Sequence, residues 1–137
     1  MYPAEIVIPM KQDLTSAGFS ELQTPEEVDK ALNNMTGTAL VVVNSVCGCA
    51  AGACRPGVKM ALKNDKKPDH LYTVFAGFDT EAVAQARKYF LPYPPSSPSI
   101  ALFKNGKLEH FVERHHIEGR SAEMIAEHLK EVFNEYC

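Results

Sequence analysis

The stretch TALVVVNSVCGCAAGACRPG, residues 38–57, carries the chain from a β-branched run directly into three of its four cysteines. Thr38 to Val43 is apolar at nearly every position, the composition of a strand buried on both faces. The residues that follow are small, then Arg55-Pro56-Gly57 precedes VKMALKN. This reads as a helix from the cysteines to about Asn64, kinked or interrupted at Arg55-Pro56-Gly57. Cys47 thus stands where a buried strand gives way to a helix. The unpaired N–H groups and partial positive charge of a helix start favour thiolate over thiol. Cys47 is therefore the candidate nucleophile, with a pKa expected below that of an ordinary thiol.

Cys49 lies two residues further on. Residues i and i+2 of a regular helix point in separate directions, so these thiols can bond only if the backbone departs from helical geometry, a departure that Gly48 eases. The expected Cys47–Cys49 disulfide forms but is strained and readily reduced, which suits turnover rather than structure. The pattern C-x-C-x4-C could instead ligate zinc or an iron–sulfur cluster through Cys47, Cys49 and Cys54. A fourth ligand at standard spacing is absent, and the nearest downstream histidine is His70. Cys54, two helical turns after Cys47 on the same face, reads as a buried small hydrophobe, with a third redox thiol or a metal ligand as the alternatives. Cys137 reads as a thiol on a frayed tail.

Working outward, Thr24-Pro25-Glu26-Glu27 is a capping box with proline at the first helical position, and predicts a helix from Pro25 to about Asn34. Leu71 to Phe75 reads as a second strand, and Asp79 to Phe90 as an amphipathic helix capped by Asp79 or Thr80. The four prolines of LPYPPSSPS exclude regular structure between Leu91 and Ser97. SIALFKNGKLEHFV is a hairpin turning on Asn105-Gly106, the dipeptide suited to a type I′ turn. A last helix, capped by Ser121, carries Met124, Ile125, His128, Leu129, Val132 and Phe133 at helical spacing. Strands joined through helices, then a hairpin and a closing helix, imply an α/β fold with a mixed sheet and helices on both faces.

A chain of 137 residues with 45% hydrophobic residues forms one domain, residues 1–137, with a core that needs neither disulfides nor metal. A net charge of −3 offers no basic surface for phosphates, so nucleic acid is not an expected partner. The first residues lack a basic segment followed by a long apolar one, and polar residues interrupt the uncharged run from Ala31 to Cys54. Neither a secretory signal nor a membrane span is expected, and a cytoplasmic location follows. In that reducing compartment clustered cysteines are more often catalytic, redox-sensing or metal-binding than structural.

Cys47 on a strand-to-helix turn, Ser97-Pro98 before SIALFKNGKLEHF, and the closing helix resemble a thioredoxin fold. More closely, VVVNSVCGCAAG, TVFAGFD, PPSSPSIALFK and RHHIEGR resemble the bacilliredoxin family, thioredoxin-like proteins in which Cys-Gly-Cys replaces Cys-x-x-Cys. The resemblance spans nearly the whole chain. It implies a thiol–disulfide oxidoreductase that removes bacillithiol, a low-molecular-weight thiol, from mixed disulfides on oxidised proteins. Cys47 would attack the mixed disulfide and take up bacillithiol, and Cys49 or a second bacillithiol would resolve it. Pro98 would be a cis-proline facing the site with Ser97 beside it, and a cis peptide is realistic only before proline. No bound cofactor is implied, since bacillithiol enters as co-substrate. Cys54 departs from the family pattern, where that position is more usually apolar.

Two other readings stay open from the sequence: a general disulfide reductase or isomerase working with another thiol, and the metal or cluster module. Among the remaining polar residues, His115 and His116 sit between Glu113, Arg114 and Glu118 and read as a solvated turn or a proton relay. His128 reads as a core histidine, and Lys59, Lys63, Lys66 and Lys67 as a solvated face. No carboxylate lies close in sequence to the cysteines, so no general base is identified, and the oligomeric state is left open.

Overall fold

The computed structural model describes residues 1–137. Along the chain run α1 (Ala4–Thr15), β1 (Ser20–Glu21), α2 (Pro25–Leu32), β2 (Thr38–Asn44), α3 (Arg55–Ala61), β3 (His70–Phe75), α4 (Thr80–Tyr89), β4 (Ser99–Lys104), β5 (Lys107–Val112) and α5 (Ala122–Tyr136). The strands form one sheet in the order β1-β3-β2-β4-β5. β3 pairs parallel with β1 and β2, and β4 pairs antiparallel with β2 and β5.

The sheet is covered on both faces, as expected. Leu40 and Val42 of β2 and Ile100 and Leu102 of β4 pack with Leu14, Val58, Ile125, Leu129 and Phe133 from α1, α3 and α5. The intervening residues Ala39, Val41, Val43, Ala101 and Phe103 face the other way, onto Val28, Leu32, Val83 and Ala86 of α2 and α4. Strand periodicity thus sends alternate side chains of one strand into two cores. No helix is long and apolar enough to cross a membrane.

Several local readings hold in detail. Thr24 Oγ1 accepts from the Glu27 N–H while Glu27 accepts from the Thr24 N–H, completing the capping box. Asn105 and Gly106 both have positive φ, 52° and 81°, as a type I′ turn requires. Ser121 caps α5 by accepting from the Met124 N–H. The peptide between Ser97 and Pro98 is cis, as is the one between Leu91 and Pro92.

Other readings need correction. Helical backbone runs from 48 to 61, ending before Asn64. Instead of an interruption, a π-helical turn spans Ala50–Cys54, where the Arg55 N–H donates to the Ala50 carbonyl five residues back. The wider turn lies directly before Pro56, whose missing N–H cannot serve a regular ladder. Gly57 lies where α3 meets α5, and a Cβ there would come within 2.7 Å of the Ile125 side chain. Asp79 does not use its side chain to cap α4 because that carboxylate pairs with Lys11.

The N-terminal elements α1 and β1 are absent from the pattern reading, because Pro9 and inverted exposure obscure the helix. Ile6 and Ile8 are exposed while Lys11 is buried between Glu21 and Asp79, with its ammonium over the Phe78 ring. His128 is an exposed residue rather than a core histidine, and its Nε2 meets that of His110 at 2.8 Å.

Candidate active site

Sheet register brings distant parts of the chain to one edge. Val43 lies opposite Ser99 and Asn44 opposite Phe75, so the residues after β2 adjoin the segment before β4 and the turn after β3. There Cys47, Ser97 and Arg114 line a cleft of about 290 Å³ with Tyr2, Gly77 and Arg87.

Cys47 sits in the bend before the helix, outside its regular turns, whereas Cys49 lies within the first turn. The constraint on i, i+2 pairs in a helix therefore does not apply, and the sulfur atoms stand 2.8 Å apart. Gly48 supplies no unusual φ, and nothing lies within 4 Å of where its Cβ would be. The departure from helical geometry occurs at Cys47, and Gly48 leaves the approach to the thiols open.

The two thiols differ electrostatically. Burial opposes ionisation of Cys47, but hydrogen bonds from the Cys49 thiol, the Ser45 hydroxyl and the Ala50 N–H, with the charge of Arg114, hold its pKa below the ordinary thiol value. Ser45 Oγ lies 3.2 Å from Cys47 Sγ. Burial raises the Cys49 pKa, and the hydrogen bond and charge of Cys47 raise it further. The hydrogen bond between the sulfurs thus favours ionisation of Cys47 over that of Cys49.

A buried polar network supports this turn from behind. Asn44 Oδ1 accepts from the Ser45 N–H and from Arg55 Nη1, while its amide donates to the Met10 carbonyl of α1. Arg55 Nη1 also donates to the Ser45 carbonyl, and its Nε donates to Asp13. From the other side, Arg114 donates to the Ser97 carbonyl at 3.0 Å and to Glu118. Arg55 and Arg114 each hold a backbone carbonyl beside the site, those of Ser45 and Ser97, so the thiol pair is braced from both sides.

The family profile described as disulphide isomerase matches residues 2–137. Over 135 residues the chain is 64% identical to a protein named bacilliredoxin from Cytophaga hutchinsonii, covering 98% of this chain and 99% of that one. A bacilliredoxin from Halalkalibacterium halodurans is 52% identical over 99% of this chain and 94% of its own length. The chain belongs to the bacilliredoxin family. Solved thioredoxins share its fold: one from Schistosoma mansoni superimposes with a TM-score of 0.57 at 15% identity, covering 85% of this chain and 96% of that one. Thioredoxin O2 from Arabidopsis thaliana gives 0.54 at 14% identity, over 86% and 96% of the two chains. A bacilliredoxin on a thioredoxin-like fold is a thiol–disulfide oxidoreductase.

Within this bacilliredoxin fold, Cys47, Gly48, Cys49, Ser97 and Pro98 gather at one edge, and Ser97 shares the cleft with Cys47. Cys54 is wholly buried in the α3–α5 core, where burial pushes its thiol up to about 12. Cys47 and Cys49 are close, but Cys54 does not complete a group of three sulfurs mutually within 4.8 Å, so the geometry gives the three-thiol metal reading no support. Cys137 is exposed near Thr38 and Lys104, at the other end of β2. His115 and His116 occupy a 3-10 turn at Arg114–His116 and are exposed. Lys59 leaves the expected solvated lysine face to pair with Asp13.

Sequence reading did not identify Asp13, Asn44, Arg55, Arg87 or Arg114 as parts of the site. Arg55 carried one signal, the first charge after the uncharged run from Ala31 to Cys54. Asp13, Arg87 and Arg114 arrive from elements remote in sequence, for which no local pattern exists.

Proposed function

We propose that this bacilliredoxin removes bacillithiol from mixed disulfides on oxidised proteins. The observation that carries this reading is the unequal thiol pair: sulfurs 2.8 Å apart, with Cys47 favoured as thiolate and Cys49 as thiol, at the wall of an open cleft. The thiolate is the attacking species in disulfide exchange.

In the first step Cys47 Sγ attacks the bacillithiol sulfur of the mixed disulfide. A Cys47–bacillithiol disulfide forms, and the protein sulfur leaves as thiolate. In the second, Cys49 gives up its proton and attacks Cys47 Sγ, forming the Cys47–Cys49 disulfide and releasing bacillithiol as thiolate. The two electrons that reduce the substrate come from the two enzyme thiols. Bacillithiol can also resolve the adduct directly, attacking its bacillithiol sulfur and leaving as bacillithiol disulfide. Two molecules of low-molecular-weight thiol return the oxidised pair to the dithiol, the first opening it as a mixed disulfide and the second leaving with the first as their own disulfide, with no resident cofactor. Pro98 and Ser97 flank the attack path, and the surrounding compartment is the reducing cytoplasm.

The test incubates reduced protein with a bacillithiolated protein and, separately, with a glutathionylated one, followed by thiol mapping by mass spectrometry. The expected result is a bacillithiol adduct on Cys47 or a Cys47–Cys49 disulfide in the first mixture alone. Cys49→Ser should accumulate the adduct, and Cys47→Ser should be inert. The family description as disulphide isomerase favours a second reading, a less selective reductase or isomerase. Equal reaction in both mixtures would establish that reading instead.

A further inference from the structure

Nearly every lysine or arginine that is buried or half-buried in this molecule has an acceptor. Lys11 pairs with Glu21 and Asp79, and Arg55 with Asp13, Asn44 and the Ser45 carbonyl. Arg114, on the wall of the cleft, donates to Glu118 and the Ser97 carbonyl. Arg87 is the exception. It lies in the last turn of α4 and lines the cleft that holds Cys47, yet it forms no salt bridge, and its buried Nε has no hydrogen-bond partner. Burial alone shifts its pKa, downward, with no carboxylate acting against it.

A guanidinium stays charged, and its five N–H donors are arranged in a planar fork. Leaving such a group partly desolvated without an acceptor is costly. The terminal Nη donors of Arg87 have no partner either and are not sealed as Nε is, so a carboxylate entering the cleft can accept from them through short charge-assisted hydrogen bonds.

We propose that Arg87 forms a carboxylate-binding subsite beside Cys47, which seats an acidic group of the small thiol while its sulfur is exchanged. The proposal rests on the reading of the chain as an exchanger of a low-molecular-weight thiol. Cys47 and Arg87 line the same cleft of about 290 Å³, so one small molecule can present its sulfur to the first and its acid to the second. Arg114 adds positive charge on the same wall, but its Nε and Nη1 already hold Glu118 and Ser97 and a carboxylate balances its charge. Arg87 therefore discriminates by charge, and it does so without tuning the nucleophile: the groups that shift Cys47 include Arg114 and not Arg87.

The test uses the full chain carrying Cys49→Ser, so that only attack by Cys47 is followed. Its rate is measured with bacillithiol disulfide and glutathione disulfide, which bear carboxylates, and with uncharged 2-hydroxyethyl disulfide. Adding Arg87→Gln should slow both carboxylate-bearing disulfides by about tenfold, the loss expected for a charge-assisted contact. The neutral disulfide should keep its rate within about twofold, which also reports that the variant is folded and its thiolate intact. Arg87→Lys should recover part of the difference, and raised salt should narrow it.

Equal loss on all three disulfides, or no loss on any, overturns the subsite. A wild-type preference that is absent between bacillithiol and glutathione disulfides, with the Arg87 effect present on both, overturns the bacillithiol reading and leaves the subsite standing.

Discussion

Arg55 Nη1 stands 2.9 Å from Asn44 Oδ1, so the helix after the cysteines grips the end of the strand before them. The intervening turn, which contains Cys47 and Cys49, is thereby clamped at both ends. Asn44 and Arg55 are both buried, at 1% and 5% exposure, so their contacts compete little with water.

Replacing Arg55 with methionine keeps the apolar stem but removes the guanidinium donor from the Ser45 carbonyl and leaves Asn44 Oδ1 with the Ser45 N–H alone. A loss of about 2–4 kcal/mol in unfolding free energy is expected, measured by urea denaturation. Arg55→Lys should recover little, because an ammonium cannot donate to three sites in the planar arrangement of the guanidinium. A double-mutant cycle with Asn44→Ala should show strong coupling between the two positions.

The reactivity of Cys47 should follow its hydrogen bonds. Ser45→Ala removes the hydroxyl donor and Cys49→Ala the thiol donor, and each should raise the Cys47 pKa. The rate of alkylation by iodoacetamide, followed against pH, should rise at higher pH in both variants than in the wild type. Double replacement should bring Cys47 nearer still to an ordinary thiol.

Asp13 makes stability depend on acid. Burial opposes its ionisation, but Lys59 and Arg55 hold its pKa below the usual 3.8. Its stabilising contribution is therefore fully present above the unfolded value and is lost as pH falls through the folded one. Urea midpoints between pH 6 and pH 3 should show the wild type exceeding Asp13→Asn at the upper end, with the gap closing below the ordinary carboxylate range. A third of the side chain is exposed, so added salt should shrink the difference.

Gly57 is a contact residue in disguise. A methyl group at this position meets Ile125 and the Ala122 carbonyl, at 2.7 and 2.9 Å. Gly57→Ala should cost about 1–3 kcal/mol by overpacking, despite the better helix propensity of alanine. Combining it with Ile125→Val should recover part of that loss, and calorimetry would read both steps.

Legibility of the sequence followed locality. The strand through Val43, the capping box at Thr24, the turn at Asn105-Gly106 and the hairpin were visible because each is specified by adjacent residues. The thiol pair was visible for the same reason, and its resemblance to bacilliredoxins extended the reading to Ser97-Pro98. The helix α1 was hidden because Pro9 and a buried Lys11 invert the amphipathic pattern. The clamp formed by Asp13, Asn44 and Arg55 depends on three elements meeting at one sheet edge. Cys49 was expected to require a backbone distortion at Gly48, whereas the chain keeps Cys47 outside the helix altogether.

The dispersed origin of these contacts also orders events at the ribosome. The first helix emerges early, but Asp13 waits 42 residues for Arg55, and the cleft lacks a wall until Arg114 follows the hairpin. A nascent chain that exposes Cys47 has only its nearest neighbours to favour the thiolate, without the clamp or the distal charge. A chain ending before Arg114 would therefore lack the distal charge and one wall of the cleft, while keeping the local hydrogen bonds that favour the Cys47 thiolate.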